Sequence, residues 1–159
     1  MTKMFKKSAQ WELRVLVRTL LAGHIKLDDG SADGQLVPVF ETIPAGIPLP
    51  YVALTNCKAT NESTKDAYED DMILDLHVFT DYGGTHDNVS ILSVVYELLT
   101  DAWNTEVLNF PTTSDFCITM FWTGDEETSL AAESGLAKRI KEELEESKLE
   151  LMFRVKQLR

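Results

Sequence analysis

The sequence predicts one α+β domain, in which a mainly antiparallel sheet of four to five strands carries two long helices packed on one face. Two kinds of pattern predict it. Apolar residues recur at three- and four-residue spacing near the start of the chain and again after Asp87, which is typical of amphipathic helices. In other segments apolar and polar residues alternate over short runs, which is typical of strands.

The chain is long enough for a single domain with a substantial core, and we treat residues 1–159 as one domain. Its 159 residues are 44% apolar and 26% charged, a composition of globular rather than disordered proteins. No run of 18 uncharged apolar residues is present, so we expect no membrane-spanning helix. Charged residues following Trp11 interrupt any signal-peptide core, so we expect the protein to stay in the cytoplasm where it is made. Residues 1–7 are predicted to be a basic, flexible N-terminus.

The first helix is predicted over residues 8–23, with Ser8 as its N-cap and Gly23 as its stop. A short edge strand is predicted over residues 36–41. Residues 42–50 follow, and they are too rich in proline for a helix. We expect this proline-rich segment to run extended along the surface.

The middle of the chain contains the clearest strand patterns. Strands are predicted over residues 51–58 and 72–80, joined by a polar turn. In the second strand, Asp75 and His77 fall on the face opposite the apolar one. Asp87 can then accept hydrogen bonds at the start of a long helix, whose broad apolar stripe is expected to lie on the sheet.

The last third of the chain mixes strand patterns with charge. Residues 115–123 carry bulky side chains on both faces, which predicts a strand covered on two sides. Residues 124–147 form a charged insertion whose structure the pattern leaves uncertain, although residues 137–146 favour a helix by propensity. Residues 149–155 alternate again and predict a closing strand with one face in water.

The net charge of −11 is unevenly distributed along the chain. Residues 1–26 carry a net charge of +5, whereas residues 62–75 and residues 125–150 carry −5 each. A strongly acidic protein is unsuited to wrapping DNA, because that affinity comes from neutralising phosphates. A basic end and acidic flanks suit head-to-tail association between copies, and ordinary solubilising charge explains the same distribution.

No catalytic, phosphate-binding or dinucleotide-binding motif is present, so we expect neither a cofactor nor enzymatic activity. Asp75, His77 and His86 are candidate ligands for a metal ion. A small metal-dependent hydrolase is therefore an alternative function. Cys57 and Cys117 match no metal or redox spacing and are interpreted as buried small hydrophobes in a reduced, intracellular protein. The sequence leaves undecided whether these two cysteines form a disulfide with each other.

The three tryptophans raise the alternative of a platform for stacking bases. Trp11 and Trp103 fall on apolar helix stripes, and Trp122 falls on the two-sided strand. We therefore expect all three in the core.

The order and spacing of these elements resemble one family. Pro48-Leu-Pro-Tyr51 leads into the first confident strand, and Thr64-Lys65-Asp66 follows it. Next come a strand from Leu74 to Thr80, a helix and two further strands, the last being Leu151-Met-Phe-Arg-Val155. Over residues 8–157 this arrangement is similar to the tail-completion, or tail-terminator, proteins of long-tailed bacteriophages and related phage-like particles.

The resemblance implies a structural virion protein, located in the tail or neck and assembled in the host cytoplasm. Such a protein caps the tail tube as a ring, usually of six copies, stops tube growth and joins the tail to the head. The implied partners are further copies of the chain, the tail tube protein and the head-side connector or neck protein. DNA would pass through without specific binding, and no membrane is involved. A host-encoded α+β adaptor module is a further alternative.

Three segments are candidates for contacts with neighbouring subunits: the proline-rich segment, the acidic turn at residues 61–71 and the charged insertion. The candidate interface residues are Pro48, Pro50, Thr64, Lys65, Asp66, Glu69, Asp70, Asp71, Lys138 and Arg139. Extended loops and flat sheet edges suit contacts of this kind.

Overall fold

Residues 5–27, 34–81, 85–130 and 144–159 are described by a computed structural model of the chain. In chain order the elements are α1 (Gln10–Leu21), β1 (Lys26–Leu27), β2 (Gln35–Leu36), β3 (Val39–Phe40), β4 (Tyr51–Asn61), β5 (Glu69–Asp81), α2 (Thr85–Asn104), β6 (Phe116–Leu130) and β7 (Leu144–Gln157). Within these ranges, neither helix is long and apolar enough to cross a membrane.

Five strands form one mixed sheet in the order β3-β4-β5-β7-β6, and β1 pairs with β2 in a separate two-stranded sheet. β3 runs parallel to β4, whereas the other pairs of the large sheet are antiparallel. The second helix has 20 residues, but the first has only 12. The predicted fold class, a mainly antiparallel sheet of four to five strands with two long helices, is therefore wrong.

The parallel pair arises from the proline-rich segment. A parallel neighbour requires a connection that returns the chain to the end where the first strand began. Residues 41–50 provide this connection, and the Val52 N–H donates to the Pro38 carbonyl at 2.9 Å. Pro38 has no N–H of its own and lies between β2 and β3. The single strand predicted over residues 36–41 is therefore two short strands in different sheets.

The first helix lies close to its predicted position, but its predicted cap is wrong. The N-cap position is Ala9, which has no side-chain acceptor, and no side-chain hydrogen bond caps the helix. Ser8 Oγ accepts only a long bond, of 3.4 Å, from the Gln10 N–H. Gly23 follows the helix with a φ of 79°, a left-handed conformation that glycine adopts without strain.

Both helices lie on one face of the large sheet, and the core lies between the two layers. On β5 the predicted apolar face is buried, with Leu74, Leu76 and Val78 completely inaccessible to solvent. The helices contribute Leu13, Val17 and Leu21 from α1 and Ile91, Leu92, Val95 and Leu99 from α2. α2 therefore lies on the sheet, as its apolar stripe predicted, but it begins at Thr85, so Asp87 lies within its first turn rather than ahead of it.

The opposite face of the sheet is covered at the end where β4 begins. The residues buried there are Tyr51, Ala53 and Phe79, and the side chains that pack against them are Phe40, Ile43, Ile47 and Leu49. Three of these covering residues belong to the proline-rich segment. That segment is thus more than a surface connection, because its apolar side chains pack on the sheet.

β6 and β7 are longer than their patterns predicted. Both strands extend into the charged insertion, since β6 continues to Leu130 and β7 begins at Leu144. The helix predicted over residues 137–146 is wrong for residues 144–146, which pair with residues 79–81 of β5. Pairing with a neighbouring strand overrides helix propensity there. The rest of that prediction lies outside the described residues.

The first described residues are attached to the end of the sheet. The buried Gln157 side chain accepts a hydrogen bond from the Lys7 N–H at 2.8 Å and donates one to the Phe5 carbonyl at 2.7 Å. Lys6 Nζ lies 2.7 Å from an Asp70 carboxylate oxygen. The basic end of the chain and its acidic turn therefore contact each other within one molecule.

We predict that Gln157→Ala releases the N-terminal residues, because alanine replaces neither of the two hydrogen bonds to Phe5 and Lys7. The free energy of unfolding should fall by about 1–3 kcal/mol, as measured by urea denaturation. The Lys7 amide should also exchange with solvent much faster. Gln35→Ala, at an exposed position of β2, is the control and should change neither quantity. An unchanged exchange rate at Lys7 would show that Gln157 does not hold this segment.

A second prediction concerns the contact between α2 and β6. The Tyr96 hydroxyl donates to Glu126 Oε2 at 3.0 Å. Burial, this hydrogen bond and the Glu126 charge raise the pKa of Tyr96 from 10.0 to about 12. The unfolded chain loses the same proton near its ordinary pKa of about 10. Between these values the unfolded chain binds fewer protons than the folded one, so folding stability should decrease as pH rises from 10 towards 12.

Phenolate absorbance during an alkaline titration measures this ionisation. Glu126→Gln should move the Tyr96 step towards pH 10, because it removes the charge, and Tyr96→Phe should abolish the step. A late step that persists in Tyr96→Phe would mean that another tyrosine is responsible.

Candidate assembly surfaces

The predicted interface residues between Pro48 and Asp71 lie at opposite ends of β4. Pro48 and Pro50 precede this strand, whereas residues 64–66 lie in the turn that follows it. β4 has 11 residues, so its ends are separated by about 33 Å at the usual rise of a strand. These residues therefore belong to two different surfaces.

The acidic residues at the start of β5 are largely engaged within the chain. Asp70 pairs with Lys6. The Asp71 carboxylate accepts two hydrogen bonds from the Arg154 guanidinium, at 2.8 and 3.1 Å. This pairing raises the pKa of Arg154. Glu69 is half-buried in the same strand. The acidic turn thus offers less free charge than the sequence suggests.

The other predicted interface residues are either exposed or outside the described part of the chain. Thr64, Lys65 and Asp66 are exposed at the tip of the turn. Lys138 and Arg139 lie outside the described residues. The assignment of all these residues to subunit contacts stays a prediction.

The residues of the alternative metal site are not brought together as ligands. His77 Nδ1 lies 2.6 Å from Glu146 Oε1, Asp75 Oδ2 lies 3.7 Å from Lys148 Nζ, and the exposed His86 Nδ1 lies 3.7 Å from Asp87 Oδ1. In the part of the chain that the structure describes, no group of three or more His, Cys, Asp or Glu side chains is placed to hold a metal ion. The hydrolase alternative has no site among these residues.

The two cysteines are free thiols on β4 and β6, each partly accessible rather than fully buried as predicted. Two strands, β5 and β7, lie between β4 and β6. Three strand spacings amount to about 14 Å, which is beyond the reach of a disulfide. Burial raises the pKa of the Cys57 thiol, although the nearby charge of Arg14 opposes this effect. A raised pKa disfavours the thiolate that a nucleophile needs.

An apolar groove runs along the outer side of α1. It encloses about 300 Å³ and is lined by Trp11, Glu12, Val15, Leu16, Thr19, Phe110 and Pro111, which we call the helix groove. Glu12 is the one charged residue in this lining, and it accepts a hydrogen bond from Ser114 Oγ at 2.7 Å. Trp11 is 69% exposed. A large aromatic side chain at this exposure is typical of protein–protein contacts.

The expectation that Trp11 lies in the core is wrong. Residues two positions apart on a helix differ by about 200° in direction, so Trp11 and Leu13 point to opposite sides. Leu13 is fully buried against the sheet, which leaves Trp11 outside. Val15 and Leu16 continue the Trp11 side at the next turn. The exposed position of Trp11 was therefore predictable from the sequence, because one short helix carries two apolar stripes that cannot both face the sheet.

A second apolar surface lies on the uncovered face of the sheet. The register places Ile73, Met152 and Trp122 in one row across β5, β7 and β6. Met120 lies beside this row, opposite Arg154, and is 48% exposed. We call these four apolar residues the sheet patch. The prediction that residues 115–123 are covered on two sides is wrong, because only the side that faces the helices is covered.

β6 is also an edge strand, since the order of the large sheet ends with it. Its register with β7 shifts between Ile118 and Met120 and again between Thr123 and Glu126. Irregularities of this kind, together with exposed acids at residues 125–127, discourage the addition of a foreign strand. Contacts at this side of the molecule are therefore expected to involve side chains.

Comparison with known proteins shows a likeness in fold. No family model matches the chain, and no curated protein matches it. The chain is similar to one chain of a solved structure described as the virion of a native gene transfer agent (GTA) particle. The TM-score is 0.54 at 15% sequence identity, and the match covers 94% of this chain and 92% of the other.

The match extends over nearly the whole of both chains, so the two share a fold. The structural neighbour is thus part of a virion particle. At this level of identity, the likeness does not show membership of the tail-terminator family.

We predict that Trp11→Ser leaves the free energy of unfolding within about 0.5 kcal/mol of the original value, because the side chain is exposed. Trp103→Ser is the matched comparison. Trp103 packs against the core and lies 6.3 Å from the Phe121 ring, so its loss should cost about 2–3 kcal/mol. Urea denaturation measures both values. Equal losses would place Trp11 in the core after all.

Proposed function

We propose that this protein is a structural subunit of a phage-like particle that closes the end of the tail tube as a ring and joins the tail to the head-side connector. The observation that carries the proposal is the fold shared with a gene transfer agent virion chain over 94% of this chain. The order of elements along the sequence, which resembles tail-completion proteins, supports the finer role as a ring of six copies.

The molecule has the features that such a role requires. Tube subunits polymerise because one face of a ring complements the opposite face of the next, a contact that does not close. A terminating subunit must bind one end of the tube and offer a different surface outward. In this chain, the proline-rich segment and the turn at residues 64–66 lie at opposite ends of β4. We assign these two ends to the contacts with the tube and with the connector.

The charge of the protein also suits a channel through which DNA passes. The net charge is −11, and most of the described basic side chains of residues 5–26 have partners within the chain, as Lys6 has in Asp70, Lys7 in Asp115 and Arg18 in Glu41. Such a surface has little capacity to neutralise phosphates, so DNA moves past it without being held. The proposed location is the tail or neck of the particle, after assembly in the host cytoplasm.

A capping assay tests this function. Purified protein is added to tail tubes assembled from the tube protein of the same genome, and the tubes are imaged in negative stain. We expect tube growth to stop and a ring to appear at one end, with a mass of six copies by mass measurement. A protein that stays monomeric at high concentration and leaves tube growth unchanged would contradict the proposal.

A charge-swapped turn serves as the matched variant in this assay. Lys65→Glu combined with Asp66→Lys preserves the net charge and changes only exposed residues. If the turn binds the tube, this variant should form rings of normal mass but cap tubes less often. Normal capping by this variant would assign the turn to the connector side.

A further inference from the structure

We propose that the sheet patch of one copy docks into the helix groove of the next copy, with Met120 inside the groove and Lys156 beside Glu12. The inference rests on the proposed function, because it assigns the contact between neighbouring copies of the proposed ring. Its occupant is a second copy of this chain.

The two surfaces complement each other in shape. The helix groove is a concave space of about 300 Å³ with Trp11 on its wall. Met120 projects from the opposite side of the molecule and is 48% exposed. Methionine is unbranched and adaptable, and its sulfur makes favourable contacts with aromatic rings. A Met120 side chain within reach of Trp11 would therefore bury apolar surface that each isolated chain leaves in water.

The two surfaces also complement each other in charge. Glu12 is the one charged residue among those that line the groove. On the sheet, Lys156 lies on the same face as Met120 and is paired in register with Glu69 and Cys117. Nevertheless, Lys156 forms no ion pair with any residue that the structure describes. Arg154 is already held by Asp71. Lys156 is thus a base beside Met120 that a neighbouring acid can pair with, and the exposed Lys58, opposite Ile73 in the register, is a second base at the far end of the patch.

The position of the surfaces determines the kind of assembly. The groove lies on the helix layer, whereas the patch lies on the sheet face that the helices leave uncovered. A contact between two different surfaces of the same chain is heterologous and repeats from copy to copy, so it generates a ring when the rotation closes. An isologous dimer would require the groove and the patch to lie on the same side of the chain, so that each meets the other across a two-fold axis, whereas here they lie on opposite layers.

A mixing experiment tests the proposal. Trp11→Ser disables the groove and Met120→Ser disables the patch, and both positions are exposed, so the fold should survive. Each variant alone should lose assembly, with the affinity between copies reduced about 30-fold or more. In an equal mixture, the intact patch of the first variant meets the intact groove of the second. The mixture should therefore form dimers and no rings, as measured by mass photometry or sedimentation velocity.

Val89→Ser is the matched control, because Val89 is 45% exposed on α2 and belongs to neither surface. It should assemble like the original protein. The melting temperature of every variant shows whether a loss of assembly reflects unfolding. If Trp11→Ser or Met120→Ser still forms normal rings, this contact is wrong while the ring itself stands. If the original protein forms no ring alone or on tube ends, the proposed function fails and the contact with it.

Charge reversal tests the polar part of the contact. Glu12→Lys and Lys156→Glu should each weaken assembly about tenfold, because each places like charges together. The double variant restores an opposite pair and should recover most of the loss. A double variant that is no better than either single one would contradict the pairing of Glu12 with Lys156.

Discussion

The pairing of β5 with β7 is the constraint on which the rest of the structure depends. All 13 residues of β5 pair with β7 without a register shift. Side chains alternate along a strand, so a slip of one residue would expose the apolar face of both strands. Burial of Leu74, Leu76 and Val78 therefore fixes the register. The same register fixes what lies on the other face, including the Asp71–Arg154 pair and the row of Ile73 with Met152. The positions of the core and of the sheet patch therefore both follow from the pairing of β5 with β7.

The parts of the fold that depend on local alternation were predictable from the sequence, but the parallel strand was not. The first two long strands and the faces of β5 follow from the spacing of apolar residues. β3 has only two residues, too few to show a period, and its direction depends on how the proline-rich segment returns the chain. The strand at residues 144–146 was missed because its partner on β5, rather than its own propensity, decides its conformation.

The candidate site was missed for a related reason. On β6, simple alternation assigns Ile118, Met120 and Trp122 to one side. The register shift between Ile118 and Met120 breaks that count, so Ile118 lies in the core while Met120 and Trp122 lie on the uncovered face. A bulge inserts a residue without any signal in the apolar pattern. The clusters of like charge along the sequence are misleading for a similar reason. Lys6 and Asp70 are 64 residues apart in the sequence but form an ion pair in the fold. Counting charges along the chain overestimates the charge available to partners.

In the proposed ring, contact between copies at the β6 side would be made by side chains rather than by the strand edge. An open sheet with a smooth edge extends by strand addition, and nothing in that process limits the number of copies. Here the β6 edge carries two register shifts. Two groups of exposed apolar side chains lie instead in the helix groove and in the sheet patch. A side chain seated in a groove fixes the angle between two subunits, because the groove walls belong to packed elements, α1 and the Phe110–Pro111 segment. A fixed angle repeated from copy to copy gives a closed ring with a set number of copies when the rotation closes, and an open filament when it does not. Finite size, which the proposed terminating ring requires, would then depend on a rigid contact whose rotation closes.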